Sequence, residues 1–272
     1  IKTLLALTNN PHRKKEKYHI VAELRDAKNV EVAKMVGRDE TEIVLVGDLI
    51  SRITVQTCRQ SGLSVVYTEL LNFGGDEIYF KPEPALAGKA FGSALLAYED
   101  SAVIGLQTKD GRTQLNPPMD TRLAAGDQII AISADDDAIK LSKSTNLGVE
   151  PDAIQSPRAP TPAPERTLIL GWNKRGQSIV RELDHYVAPG SETLIVANVA
   201  ADIPPTKNQK VVFEQGDTTD RRVLDGLNIP TYHHIIVLSY SDTLAAQEAD
   251  AQTLIALLHL RGSGWPWCTL AF

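Results

Sequence analysis

Cysteine is scarce in this sequence, aromatic residues are few, and there is neither a basic excess nor a long apolar run. The two cysteines, Cys58 and Cys268, stand far apart and outside any C-x-x-C spacing. That excludes a disulfide framework and a cysteine-based zinc site, and leaves Cys58 reading as a buried thiol and Cys268 as incidental. A net charge of −6 argues against a general nucleic-acid binder, which needs a basic face. No stretch reaches the roughly 18 uninterrupted apolar residues of a membrane-spanning helix. His185, His233, His234 and His259 lack the spacing of H-E-x-x-H, and Ser239 and Ser241 sit in no nucleophile elbow, so no catalytic constellation is visible. What remains, 43% apolar and 23% charged residues, is the composition of an ordinary globular protein.

The chain is organised around residues 166–198. The apolar run Thr167–Leu170 meets Gly171, an amphipathic segment Gln177–His185 follows, and a β-rich run Thr193–Val199 closes the unit. Strand, tight turn, helix and strand open a Rossmann-like half. The dinucleotide fingerprint G-x-G-x-x-G is incomplete: Gly171 and Gly176 are in place, but Asn173 replaces the middle glycine that lets backbone approach a pyrophosphate. The acidic residue expected about 20 positions on, to hold a ribose hydroxyl, falls at Asn198, whose amide lacks a carboxylate's charge. These four residues form a degenerate cofactor motif, and NAD is not the expected ligand.

Before that unit, periods alternate. Tyr18–Leu24 is strand-like, Asn29–Val36 helical, Glu42–Val46 a short strand, and Leu49–Gln60 and Leu63–Leu71 helical. This order predicts a parallel sheet and assigns residues 1–73 to the back half of a first Rossmann-like lobe. Ile1–Asn10 reads as the tail of a helix without an N-cap, which points to a fragment with its front half upstream. Residues 74–146 mix helix and strand without alternation: Glu77–Phe80, Phe91–Tyr98, Val103–Lys109 and Gln128–Ile132 predict a small α+β module. Asp135-Asp136-Asp137 reads as a solvated helix start rather than a metal site. Residues 147–165, with prolines at 151, 157, 160, 162 and 164, are a linker. Residues 166–261 keep the front half of a second lobe: strands Lys210–Phe213 and His234–Ser239, helices Arg221–Leu227 and Thr243–Arg261. Residues 262–272 show no periodicity and read as a disordered or non-native tail. The two lobes look like copies of one unit.

Val212-x-x-x-Gly216-Asp217-x-Thr219-Asp220, followed by Leu224, Ile229 and Ile235–Leu238, resembles the regulator-of-conductance (RCK, or TrkA-N) domain. Phe91–Ile132, with Leu115-Asn116-Pro117 and Leu123-x-x-Gly126-Asp127, resembles its C-lobe. Ala188-Pro189-Gly190-Ser191-Glu192, Gln247-x-Ala249-Asp250 and Tyr79-Phe80-Lys81 resemble the CASTOR/POLLUX cation-channel family. The fold class implied is α/β: Rossmann-like RCK domains with parallel sheets and a small α+β C-lobe between them.

The resemblance further implies a cytosolic gating ring, assembled as a homotetramer on the cytoplasmic side of a membrane and tethered to pore-forming transmembrane helices that this chain lacks. It implies a calcium-responsive, cation-permeable channel rather than an enzyme. Candidate Ca²⁺ ligands are Asp26 and Asp48, at the carboxyl ends of strands, and Glu69, on the helical pair that looks like the crossover between ring subunits; hard oxygen donors from separate loops suit that ion. Asp217 and Asp220 read as helix caps. The alternatives are an NAD(P)-dependent oxidoreductase and a soluble TrkA-like subunit of a potassium transporter.

Overall fold

The computed structural model describes residues 1–144, 150–153, 161–262 and 270–271. They fall into two compact units, 1–63 with 160–272, and 64–159. The first stretch supplies α1 (Lys2–Thr8), β1 (Ile20–Leu24), α2 (Val30–Gly37), β2 (Thr41–Leu45) and α3 (Val46–Arg59), after which α4 (Leu63–Leu70) begins. β1 and β2 pair in parallel, Ile20 opposite Thr41 through Leu24 opposite Leu45, as the alternation of periods predicts. α3 buries Ser51, Thr54, Val55, Thr57 and Cys58, the three-and-four spacing of one helical face. Two of its buried hydroxyls are satisfied within the helix, Ser51 donating to the Gly47 carbonyl (2.7 Å) and Thr54 to that of Ile50 (2.8 Å).

The second unit contains β3 (Glu77–Pro82), α5 (Phe91–Leu95), β4 (Ala102–Gln107), β5 (Thr113–Leu115) and β6 (Gln128–Ser133). Its sheet is antiparallel in the order β3-β6-β4-β5, packed on Phe91, Leu86, Leu106, Ile129 and Ile139, an α+β module as expected. α5 stops at Leu95 rather than running to Tyr98, because Tyr98 turns inward and bridges to Leu141 in extended geometry. Asp135 caps a short 3₁₀ turn by accepting from the Asp136 amide at 2.7 Å, the helix-start role read from the sequence.

The larger sheet of the first unit is built from β7 (Arg166–Leu170), α6 (Gly176–Tyr186), β8 (Ser191–Ala197), β9 (Gln209–Gln215), α7 (Arg221–Gly226), β10 (His234–Val237), α8 (Ala246–Gly262) and β11 (Leu270–Ala271). Every pairing is parallel and the order is β11-β10-β7-β8-β9. Numbered from β7, this is the 3-2-1-4-5 arrangement of a doubly wound sheet. One face packs Ile169, Ile195, Ala197 and Ile236 against Ile179, Val180 and Leu183 of α6, and against Val55 and Cys58 of α3. The other packs Leu168, Leu170, Val196, Ile235 and Val237 against Leu224 of α7 and Ala256 and Leu260 of α8.

Three expectations shift here. α8 begins at Ala246 rather than Thr243, because the Thr243 and Leu244 amides are spent closing a turn on the Tyr240 carbonyl. In the stretch read as a disordered tail, Leu270–Ala271 forms a strand beside Ile235–Ile236; residues 263–269 and 272 lie outside the described residues. In the linker Pro151–Ala153 makes one 3₁₀ turn, and 145–149 and 154–160 likewise lie outside. Leu183 is fully buried between α6, α3 and the sheet. Leu183→Ala is expected to lower unfolding free energy by about 2–5 kcal/mol, read as a shift in urea midpoint at unchanged slope.

Candidate ligand crevice of the second Rossmann lobe

In a sheet of this order a ligand lies outside the carboxyl ends of the strands, where the order reverses between β7 and β10. Gly171 ends β7 with φ +84°, and a Cβ there would stand 2.0 Å from the Leu238 carbonyl oxygen. This glycine is required for close approach of two backbones. A Cβ on Gly176 would stand 2.6 Å from the ring of the buried Trp172, so the last glycine of the motif seats an indole against the start of α6.

Asn173 is buried, and its side chain is fully used within the loop. Its Nδ2 donates to the Ser239 carbonyl (2.8 Å) and its Oδ1 accepts from the Arg175 amide (3.0 Å). The Lys174 amide donates to the Asp242 carboxylate, and Lys174 Nζ lies 3.6 Å from the same group. Asp242 thus holds an anion on the amides at the entry to α6, the position a pyrophosphate would take. Tyr240, buried, brings its ring within 3.7 Å of the space a Gly171 side chain would fill. Its hydroxyl accepts from the Asn198 amide (3.2 Å) and shares a hydrogen bond with Thr218 (3.3 Å). Asn198 therefore contributes backbone, while its side chain is exposed.

Gly171, Asn173 and Gly176 form the turn after β7, and Asn198 follows β8 at the same end of the sheet, but the residues present do not fit a dinucleotide: the Lys174, Arg175 and Gly176 amides are occupied, Asp242 would repel a phosphate, and Tyr240 packs beside Gly171. Sequence reasoning missed Trp172, Tyr240 and Asp242. The switch-point rule could have found the last two, since both directly follow β10.

The carboxylates considered for Ca²⁺ lie elsewhere. Asp26 is exposed and accepts from the Lys28 amide at 3.0 Å, capping a short turn. Asp48 is paired with Arg52 at 2.9 Å, and Arg52 also reaches Glu182 of α6 at 3.4 Å. Glu69 is exposed on α4 and belongs to the other compact unit. Among the described residues no group of three or more Asp, Glu, His or Cys side chains is arranged to hold a metal ion. Asp220 caps α7 by accepting from the Arg222 amide (2.9 Å), the role read from the sequence, whereas Asp217 accepts from the Thr219 amide (2.8 Å) and closes the turn before the helix instead of capping it.

A second polar cluster ties α3 to this sheet. Arg59 donates through both guanidinium nitrogens to Glu165, the longer bond being 2.9 Å, and His234 Nε2 lies 3.2 Å from the same carboxylate. Burial alone would raise the Glu165 pKa, but Arg59 and His234 together hold it below 4.5. Burial also dominates at His234 and lowers it below 6.5, against the pull of Glu165. Both folded values are depressed, so both groups cost stability on acidification. The unfolded chain takes up the His234 proton first as pH falls below 6.5, and the Glu165 contribution disappears as pH falls below 4.5. Urea midpoints are therefore expected to fall from neutral to acid pH, with His234→Asn flattening the upper part of that decline and Glu165→Gln the lower. Asn173→Ala leaves the Ser239 carbonyl and the Arg175 amide without their partner, and is expected to cost about 1–3 kcal/mol in the same measurement.

Two family models match the chain in succession. Residues 47–149 match "Castor and Pollux, part of voltage-gated ion channel", and residues 167–261 match the TrkA-N domain. Among curated proteins, the probable ion channel POLLUX of Oryza sativa subsp. japonica is 30% identical over 265 residues, 89% of this chain and 26% of that protein. The probable ion channel CASTOR of the same organism is 30% identical over 278 residues, 96% of this chain and 30% of that protein. The ion channel CASTOR of Lotus japonicus is 29% identical, covering 96% of this chain and 32% of that protein. The chain thus spans only about a quarter to a third of the length of these relatives. Among solved structures the human SLO3 gating ring superposes with a TM-score of 0.61 at 14% identity, over 88% of this chain and 52% of that one, a likeness of fold. The resemblance first drawn from short motifs holds across most of the sequence: the chain is similar to the CASTOR/POLLUX ion channels, matching the mid-region of that family and then a TrkA-N domain.

Proposed function

We propose that this chain is a ligand-sensing piece of the cytosolic gating ring of a tetrameric cation channel, a regulatory assembly rather than an enzyme. The observation that carries the reading is the order of parts on one chain: the CASTOR/POLLUX mid-region, beginning within α3, and then a TrkA-N lobe. The packing of α3 on α6 and β10 supports it, since a helix clamped to the sheet of another lobe can transmit a displacement. Among the described residues no helix is long and apolar enough to cross a membrane, so this reading assigns the pore helices to other residues.

The ligand we propose is Ca²⁺, with Asp26, Asp48 and Glu69 as the carboxylates to test. Those residues form no assembled site here, so the proposal requires movement to bring oxygen donors together, and no gating step is drawn through the ion. A ligand shifts a gating equilibrium only by its differential affinity for the two states. The filled crevice weighs against NAD as the signal at the second lobe, and against the oxidoreductase reading.

Thermal unfolding with Ca²⁺, with Mg²⁺ and with NAD separates these readings. Ca²⁺ at 100 times its Kd is expected to add about 2.7 kcal/mol of stability, while NAD adds none. Stabilisation by NAD together with hydride transfer would overturn the channel reading. Indifference to Ca²⁺ at millimolar concentration would remove that ion from it and leave the gating-ring assignment to be judged on the full-length channel.

A further inference from the structure

β9 is the outermost strand of the five-stranded sheet, and its sequence, Gln209-Lys210-Val211-Val212-Phe213-Glu214-Gln215, is complementary to itself when reversed. Laid antiparallel on a second copy about Val212, it sets Lys210 opposite Glu214 twice, Val211 opposite Phe213 twice, and Gln209 opposite Gln215. Opposite charges in directly facing positions favour a pairing, and like charges oppose it.

The backbone is compatible with the same register. The Gly190 amide donates to the Asn208 carbonyl, and the Gly216 amide to the Ala197 carbonyl, both at 3.0 Å, so even-numbered residues of this segment aim their backbone groups at β8. Odd-numbered residues therefore face the open edge. Gln209 fits this parity, and its groups are taken locally: its amide donates to Asp184 Oδ1 (3.2 Å) and its carbonyl accepts from Thr206 Oγ1 (2.7 Å). The outward groups of Val211 and Phe213 have no such partner among the described residues. Centring the axis on Val212 sets Val211 opposite Phe213 of the second copy, where each can exchange both backbone hydrogen bonds with the other, and places Val212 in a non-hydrogen-bonded pair with itself. Any neighbouring register shifted by one residue breaks this parity.

We infer that β9 is a docking edge for a second copy of this chain, joining two sheets into one through an isologous antiparallel contact centred on Val212. Charged residues on an edge strand commonly block association. Here their signs select one partner and one register instead. An isologous contact joins chains two by two, as in a dimer of dimers or between two rings, and does not close a four-membered cyclic ring. It therefore stands or falls separately from the gating-ring reading.

The test is site-directed cross-linking of the full chain under mild oxidation. Val212→Cys places two thiols across the axis with Cα atoms about 4.5 Å apart, within disulfide reach, whereas Lys210→Cys places them several residues apart. With Cys268 replaced by Ser throughout, a disulfide-linked dimer is expected for V212C and not for K210C or the C268S background, whose one remaining native thiol, Cys58, is buried. In sedimentation, K210E and E214K each put like charges opposite one another twice and are expected to weaken dimerisation about tenfold, with K210E/E214K restoring it. All of these side chains are solvent-accessible, so the variants retain the fold. V212C cross-linking no better than K210C, or a dimer fraction indifferent to the single charge reversals, would overturn the inference.

Discussion

A parallel sheet cannot leave either face bare, and that constraint governs the larger unit. The strands β7 and β10 carry almost unbroken apolar runs, Thr167–Leu170 and Ile235–Val237, with every one of these residues buried. α7 and α8 cover one face. On the other, α6 reaches only part of the way, and the remaining area beside β10 is covered by α3, which comes from more than a hundred positions earlier in the chain. Burial of Val55 and Cys58 against Ile236 and Leu183 provides the apolar contact. Arg59, Glu165 and His234 fix its register at one end, and Arg52 with Glu182 at the other. Replacing one partner of such a partly buried charged cluster strands the others, so the polar contacts specify how α3 docks more than they add to stability.

This arrangement bears on what the crevice can do. In a dinucleotide-binding lobe the first turn is open, and amides at the start of the helix wait for a phosphate. Here the same turn is closed by its own side chains: Asn173 bridges to the exit of β10, Asp242 sits on the Lys174 amide, and Tyr240 links β8 to the loop after β9. The carboxyl ends of β7, β8 and β10 are thereby locked to each other without a ligand. A turn closed in this way leaves a nucleotide neither the Lys174 nor the Arg175 amide.

Periodicity made the elements legible, and the switch from two to 3.6 residues located nearly all of them within a few positions. Topology within each lobe also followed from order alone, since alternating strands and helices leave few choices. The partner of α3 was not legible. Its buried face, with Ser51, Thr54, Val55 and Cys58, announces that something covers it, but an apolar stripe carries no address, and the residues that name the partner lie at the far end of the proline-rich linker (Glu165) and well past it (His234). The crevice was half legible. Asn173 and Asn198 declared the departure from the fingerprint, yet the closure depends on Tyr240 and Asp242, whose roles exist only once β10 lies beside β7.

The remaining open edges follow from the same constraint. A doubly wound sheet covers its faces with helices but has nothing to cover its margins, so each margin must be short, charged or paired. At the β10 margin the two residues of β11 take up the exposed backbone. At the β9 margin Asp184 and Thr206 close only the first outward position, Gln209, and leave Val211, Phe213 and Gln215. Lys210 and Glu214 flank that opening with opposite signs, which is poor protection against another copy of the same strand running the other way and good protection against most others. An edge built only to repel would carry one sign throughout. The mixed pair across a three-residue gap is the arrangement that tolerates a single partner, itself.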